Sequence, residues 1–131
     1  MKYVLDTNTL IYFFKGLGNV SEILLSKSPR EINIPSIVLF EIEVGIKKSS
    51  SPEKRKIQLK DFLSVVSIIP FGDKEAIYAA DIRVDLEHKG LPIGPFDILI
   101  AATALADNAT LVTHNLKEFE RVNGLKIEDW Y

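Results

Sequence analysis

Cysteine is missing from all 131 residues. Its absence excludes disulfides, thiolate nucleophiles and cysteine-based zinc sites, and it fits a reducing cytosol. Long apolar runs are missing too: none approaches the ~18 residues of a membrane span, and the first apolar stretch reaches Asp6 after only Tyr3, Val4 and Leu5. That stretch is too short for the core of a signal peptide, so the expectation is a soluble cytoplasmic protein with no membrane partner. Phosphate-cradling and hydrolase motifs are equally scarce. Neither G-x-x-x-x-G-K-S/T nor G-x-G-x-x-G occurs, and H-E-x-x-H and G-x-S-x-G are also absent. Nucleotide hydrolysis, dinucleotide binding, zinc proteolysis and serine hydrolysis therefore lack their usual parts.

Net charge is small at −2, with 26% charged residues and 47% hydrophobic ones. The balance fits neither a disordered acidic tail nor a uniformly basic nucleic-acid coat. It fits one globular domain over residues 1–131 with a real core. The charge is unevenly spread. Between residues 47 and 60, Lys47, Lys48, Lys54, Arg55, Lys56 and Lys60 face Glu53 alone, a local +5 against −7 for the rest. Such a segment can hold a polyanion, and a solvated helix face explains it equally well.

The hydrophobic pattern alternates strands and helices. Lys2 to Asp6 reads as a short buried strand, Thr7 to Lys15 as a helix stopping before Gly16 and Gly18, and Val20 to Lys27 as a second helix. Ile32 to Ile34 forms another strand, and Ser36 is placed to cap a helix reaching Lys48. Ser49, Ser50, Ser51 and Pro52 mark a break, with Ser51 as N-cap and Pro52 in the first helical position. Val65 to Ile69 returns as a strand ended by Pro70, and Asp73 caps a long helix to about Lys89. After the turn at Leu91 to Gly94, a helix runs from Pro95 to about Asp107, then a buried strand from Thr110 to Thr113. A short helix at Leu116 to Phe119 and a strand at Leu125 to Ile127 complete the chain. Continuous apolar strands between helices imply an α/β fold with a parallel sheet of four to five strands covered on both faces. Ligands of such sheets sit beyond the carboxyl ends of the strands.

Three acids stand where the chain is otherwise apolar: Asp6 after Tyr3-Val4-Leu5, Glu41 inside Ile37 to Ile42, and Asp97 ahead of Ile98 to Ala102. An ionised carboxylate away from water costs several kcal/mol or more unless cations or donors compensate it. Repeated acids at core-like positions thus point to a shared metal site. Each also has a plain structural reading. Asp6 suits an N-cap, with Thr7 and Asn8 adding a hydroxyl and an amide beside it. Asp97 suits the positive end of a helix dipole, an effect of ~0.3–1 kcal/mol. Glu41 shares a helical stripe with Ile37 and Val44 and is expected to be buried, with Gly45 packing closely; Glu43 lies about 200° around the helix. Asn115 and Glu118 stand after the Thr113 strand end and are either site residues or turn and surface residues. His88 and His114 lack metal-ligand spacing and read as surface histidines, with substrate contact the lesser alternative for His114. Trp130 and Tyr131 read as cover for a hydrophobic edge or a subunit contact rather than as a base stack.

The order of parts resembles the PIN-domain ribonucleases, and more narrowly the VapC toxins of toxin–antitoxin pairs. The resemblance rests on Leu5-Asp6-Thr7-Asn8, Phe40 to Gly45, Lys89-Gly90 through Ala102, Leu111 to Phe119, and Gly124 to Trp130. By that resemblance the fold is a PIN-like three-layer α/β arrangement. Asp6, Glu41 and Asp97 match the family's metal-binding acids, with Glu118 a catalytic position and Thr7, Asn8, Thr113 and Asn115 in support. Many members carry an aspartate shortly after the fourth strand; here Asn115 and then Glu118 stand in that region. The implied activity is hydrolysis of RNA phosphodiesters with Mg²⁺ or Mn²⁺, which suit hard carboxylate oxygens. The substrate would be structured RNA such as tRNA, with Lys47, Lys48, Lys54, Arg55 and Lys56 on its backbone. A homodimer and a small VapB-type antitoxin are the implied partners. Two rival readings are a non-catalytic RNA- or protein-binding PIN module and a metal-dependent phosphatase.

Overall fold

Apolar runs of three or four residues set the frame of the molecule. Tyr3–Leu5 is such a run, wholly buried, and forms strand β1 in the computed structural model, which describes residues 1–131. Helices α1 (Thr7–Lys15) and α2 (Val20–Leu25) follow, then a single 3₁₀ turn at Pro29–Glu31 and the buried strand β2 (Ile32–Pro35). Helices α3 (Ser36–Lys48) and α4 (Pro52–Leu63) lead to β3 (Ser67–Ile69). Next come α5 (Asp73–His88), α6 (Pro95–Ala106), β4 (Thr110–Val112), α7 (Leu116–Phe119) and β5 (Lys126–Glu128). No helix is long and apolar enough to cross a membrane.

All four strand pairings are parallel, in the order β3-β2-β1-β4-β5, and helices flank the sheet. The α/β fold and the strand number expected from the alternation are both present. From β1 the chain steps outward to β2 and β3 on one side, then crosses to β4 and β5 on the other. Connections therefore diverge at the β1–β4 pair, where Leu5 lies beside Val112. A crevice opens beyond the strand ends at such a reversal. Asp6 and Thr113 are the first residues past those two ends.

The core joins Val4, Leu5, Ile34, Leu111 and Val112 of the sheet to Leu10, Val38 and Ile100 of the helices, every one at most 1% exposed. Helix α6 supplies Ala101, Ala102 and Ala104 to it. These small side chains let a central helix lie close to its neighbours, and Thr103 hides its hydroxyl by donating to Leu99 O at 2.8 Å.

Several local expectations are corrected. Ser36 does not cap α3; Pro35 holds the cap position, and the Ser36 hydroxyl instead accepts from Phe71 N at 3.2 Å, tying α3 to the loop after β3. Asp73 is the first residue of α5 rather than its cap, and Glu75 accepts from Gly72 N at 2.8 Å. Ser51 holds the N-cap position of α4 without a side-chain bond. Strand β3 starts at Ser67, not Val65, because it is the sheet's edge and its side chains need not be buried. The buried stripe of α3 is Val38, Ile42 and Ile46, so Ile37, Glu41 and Val44 lie beside it and are only partly buried. Gly45 is exposed, with nothing within 4 Å of the place a Cβ would occupy, so close packing is not its role.

Candidate active site at the carboxyl rim of the sheet

Asp6 leaves β1 at the crevice and at once becomes the N-cap of α1. Its Oδ1 accepts from Thr9 N at 2.9 Å, and its Oδ2 accepts from the Thr113 hydroxyl at 2.6 Å. The residue is 6% exposed and Thr113 is fully buried. Two further bonds lock this corner: Thr9 Oγ1 donates to Val112 O at 3.1 Å, and Thr113 Oγ1 accepts from Asn115 N at 3.0 Å. Burial raises the Asp6 carboxyl above its usual range; the bonds from Thr113 and Thr9 act against that, and the charge of Glu41 adds to it. Desolvation disfavours a charge while donors favour it, and here desolvation wins.

The other acids come from helices. Glu41, in the second turn of α3, accepts from the Thr7 hydroxyl at 2.5 Å. Asp97 lies in the first turn of α6, after Gly94 at the N-cap and Pro95 at the first helical position. Glu118 is in α7 and accepts from Asn115 Nδ2 at 3.1 Å. The Asp97 carboxyl is pushed up to about 6, first by desolvation, then by the charges of Glu118 and Asp6, a hydrogen bond shared with Glu118, and the charge of Glu41. The helix dipole at this position works in the opposite direction and is outweighed. One carboxyl thus registers all three others.

Asp6, Glu41, Asp97 and Glu118 are accordingly brought to one rim. None forms a salt bridge with lysine, arginine or histidine. Asn115 and Glu118 are bonded to each other, and the Asn115 backbone continues to Thr113. Asn8 is exposed and joins none of these bonds. Among the basic residues, Lys47, Lys48, Lys54 and Lys56 are exposed, while Arg55 is half-buried and donates to Gln58 Oε1 at 3.0 Å. Arg55 and Glu41 border one hollow of about 350 Å³ between α1, α3 and α4, which Asp6, Asp97 and Glu118 do not line.

The profile of the PIN domain matches residues 3–125. The chain belongs to the PIN-domain family. Its relatives within the family include VapC proteins. A Rickettsia felis protein named ribonuclease VapC2 is 43% identical across 99% of this chain and 98% of its own length. The tRNA(fMet)-specific endonuclease VapC of Salmonella typhimurium is 36% identical over the same shares. A crystal structure of VapBC2 from Rickettsia felis, bound to a DNA fragment from its promoter, superposes with a TM-score of 0.92 at 42% identity, covering 100% of both chains.

PIN-domain nucleases are in general dependent on a divalent metal. As the side chains of this PIN domain stand, no three acids or histidines are close enough to form a finished cage for an ion. The mutual effect on Asp97 nevertheless requires the acids to share a field. Both observations hold together because charge acts across several ångströms, whereas direct coordination needs about 2.0–2.6 Å. Four carboxylates without a basic counter-ion are a fit donor set for a hard cation that keeps part of its water shell. One residue of this corner escapes sequence reasoning: Thr9, whose signal is its place three residues after Asp6, the spacing of a cap to the amide it accepts from.

Proposed function

We propose that this chain is a metal-dependent endoribonuclease, the toxin of a VapBC-type toxin–antitoxin pair. The observation carrying the chemistry is the convergence of Asp6, Glu41, Asp97 and Glu118 without a basic partner. Whole-length similarity to chains named ribonuclease and tRNA endonuclease supplies the reaction class. Structured RNA such as tRNA is the substrate in this reading. A small VapB-type antitoxin is the partner, supported by relatives solved as VapBC complexes. A homodimer completes it.

In this reading Asp6 and Asp97 hold Mg²⁺ or Mn²⁺ directly, and Glu41 holds it or orients a water. When bound, the ion polarises the phosphoryl group and stabilises the leaving oxygen. Asp6 is kept in one orientation by Thr9 and Thr113, so a ligand oxygen is in place before an ion arrives. Thr7 does the same for one oxygen of Glu41. Glu118, steadied by Asn115, adds a carboxylate beside Asp97 that would act on the ion through a water. The exposed lysines of residues 47–60 attract the RNA backbone, which makes binding salt-sensitive. A non-catalytic module would be the better reading if a fourth acid were missing, and the effect of Glu118 on Asp97 supports the catalytic reading instead.

The test is incubation of antitoxin-free protein with a broad RNA panel in Mg²⁺, Mn²⁺ or EDTA, beside an Asp6→Asn variant. Cleavage is expected with metal only, and the variant should be inactive. A wild type that cuts no RNA under any metal condition sinks the proposal. Cleavage persisting in EDTA or in Asp6→Asn places the activity elsewhere.

A further inference from the structure

His114 follows Thr113 directly, so its ring leaves the backbone one residue from the bond to Asp6. The imidazole lies flat on the Tyr131 ring, with centroids 4.3 Å apart and planes 24° from parallel. Tyr12 of α1 stands edge-on to both rings, at 6.1 Å and 83° to His114 and at 4.9 Å and 72° to Tyr131. One carboxylate holds the pair: Asp129 Oδ2 is 2.9 Å from His114 Nδ1, and Asp129 Oδ1 accepts from Tyr131 N at 2.9 Å. Asn19 fixes the same residue from the other side, donating from N and Nδ2 to Tyr131 O at 2.8 and 3.1 Å. Gly18, at φ +61°, sits so close that a Cβ would fall 2.6 Å from Tyr131 O and 2.9 Å from its ring Cγ.

This much fixing normally accompanies burial, yet the His114 side chain is 47% exposed and Tyr131 is 43% exposed. The neighbouring Trp130 shows the contrast. It is 3% exposed and meets Tyr3 of the central strand β1 edge-on at 5.1 Å. Of the two terminal aromatics, expected to cover a hydrophobic edge or a subunit contact, only Trp130 is buried within the chain. Tyr131 and His114 are left as a rigid, open pair of flat rings beside the acidic rim. Unpaired bases are recognised by stacking on such rings, because every base has a π face and a preset platform loses little entropy on binding.

We propose that His114 and Tyr131 form a stacking platform for an unpaired nucleobase next to the scissile phosphodiester. The proposal rests on the ribonuclease reading of the rim and adds a positioning role for residues outside the carboxylate set. It confines cleavage to RNA whose backbone can splay a base outward at the cut, which selects loops over duplex. Tyr12 and Asp129 keep the platform in shape without touching the base.

The test uses a stem-loop RNA that the wild type cuts, carrying 2-aminopurine in turn at each position flanking the mapped cut. Asp6→Asn protein serves for binding and Asp6-intact protein for cleavage. Stacking should quench the fluorophore at one flanking position. Adding His114→Ala and Tyr131→Leu should abolish that quench and weaken binding about 5- to 150-fold, the range of one base–aromatic stack. His114→Phe, which keeps a flat ring, should restore it. In cleavage, an abasic substitution at that position should raise KM for the wild type and leave the doubly substituted enzyme unchanged. An undiminished quench in the double variant overturns the proposal, as does equal loss on intact and abasic RNA. A fall in melting temperature that His114→Phe fails to repair, or a loss confined to antitoxin binding, overturns it too. Failure of the wild type to cut any RNA removes both proposals, whereas normal cutting with an insensitive platform removes this one alone.

Discussion

On the strand side of the rim, Asp6 is buried and both its oxygens are bonded, to Thr9 and Thr113. On the helix side, Glu41, Asp97 and Glu118 are half-buried; Thr7 donates to Glu41 and Asn115 to Glu118, while Asp97 shares a bond only with the acid Glu118. The difference follows from how the two sides are built. β1 and β4 are hydrogen-bonded neighbours in the centre of the sheet, so residues just past their ends inherit fixed positions. Helices α3, α6 and α7 bring like charges to the rim, and these repel one another until a cation neutralises them. The first side is arranged by folding, and the second gains most from a cation.

The largest break in that comparison comes from Thr113→Val. The substitution keeps the shape of a buried side chain but leaves Asp6 Oδ2 and Asn115 N without their partner. An unsatisfied buried group costs about 1–3 kcal/mol, and loss of a residue that orients a ligand typically lowers metal affinity or activity about 10- to 100-fold. Thermal melts and single-turnover cleavage should show both losses, with Thr113→Ser recovering most of each. On the helix side, Thr7→Val should cost less than about 1 kcal/mol, since its bond to Glu41 is only partly buried. Equal costs at the two threonines would end the distinction between a rigid and a loose side.

The pH dependence of the metal-free protein sharpens the same contrast. Asp97 is raised to about 6 in the folded state. A raised folded pKa means that the native state binds its proton more tightly than the unfolded chain does. The resulting stability is complete below the ordinary aspartate range and disappears as pH rises through about 6. After discounting for solvent screening at a half-buried group, the loss amounts to about 1–2 kcal/mol between pH 4 and 7. Asp97→Asn in EDTA should therefore be more stable than wild type at pH 7, with the advantage shrinking toward pH 4. Saturating Mg²⁺ should reverse the order at pH 7, because only the ionised wild-type carboxylate rewards the ion. Chemical denaturation of both proteins at the two pH values measures this, and an advantage for wild type in EDTA at pH 7 would contradict it.

Legibility in the sequence follows the same line. Asp6 and Thr113 can be placed because strands have one period and a definite end, so the residue after an apolar run must lie at the rim. The helices hid more. Ile37, Glu41 and Val44 form a plausible stripe, but Val38, Ile42 and Ile46 form another, and only packing against the sheet decides which is buried. Val65 and Val66 look like strand residues and predict a longer β3, while its edge position is a property of the whole sheet. Thr9 leaves one local signal, its place three residues after Asp6, but its second bond, to Val112, spans 103 residues and leaves none. The partnership of Asn115 and Glu118 was equally hidden: as sequence they compete for one role, and the fold joins them by a hydrogen bond.

That partnership carries the smallest expected effect. Asn115 Nδ2 is exposed where it meets Glu118 Oε2, so water replaces it readily and Asn115→Ala should change stability by less than about 1 kcal/mol. Its backbone N keeps the bond to Thr113 whatever the side chain, which protects the rigid side from the change. Cleavage should fall by less than about tenfold, the worth of one exposed hydrogen bond of under about 1.4 kcal/mol. Glu118→Gln removes the largest charge acting on Asp97 and so should bring the Asp97 carboxyl down toward its ordinary range. The acid limb of the cleavage pH profile should move down with it. Asn115→Ala leaves that charge in place and should leave the limb where it is. Moving the limb equally in both variants would mean that Asn115 acts on Asp97 itself, and the helix side would then be as tightly wired as the strand side.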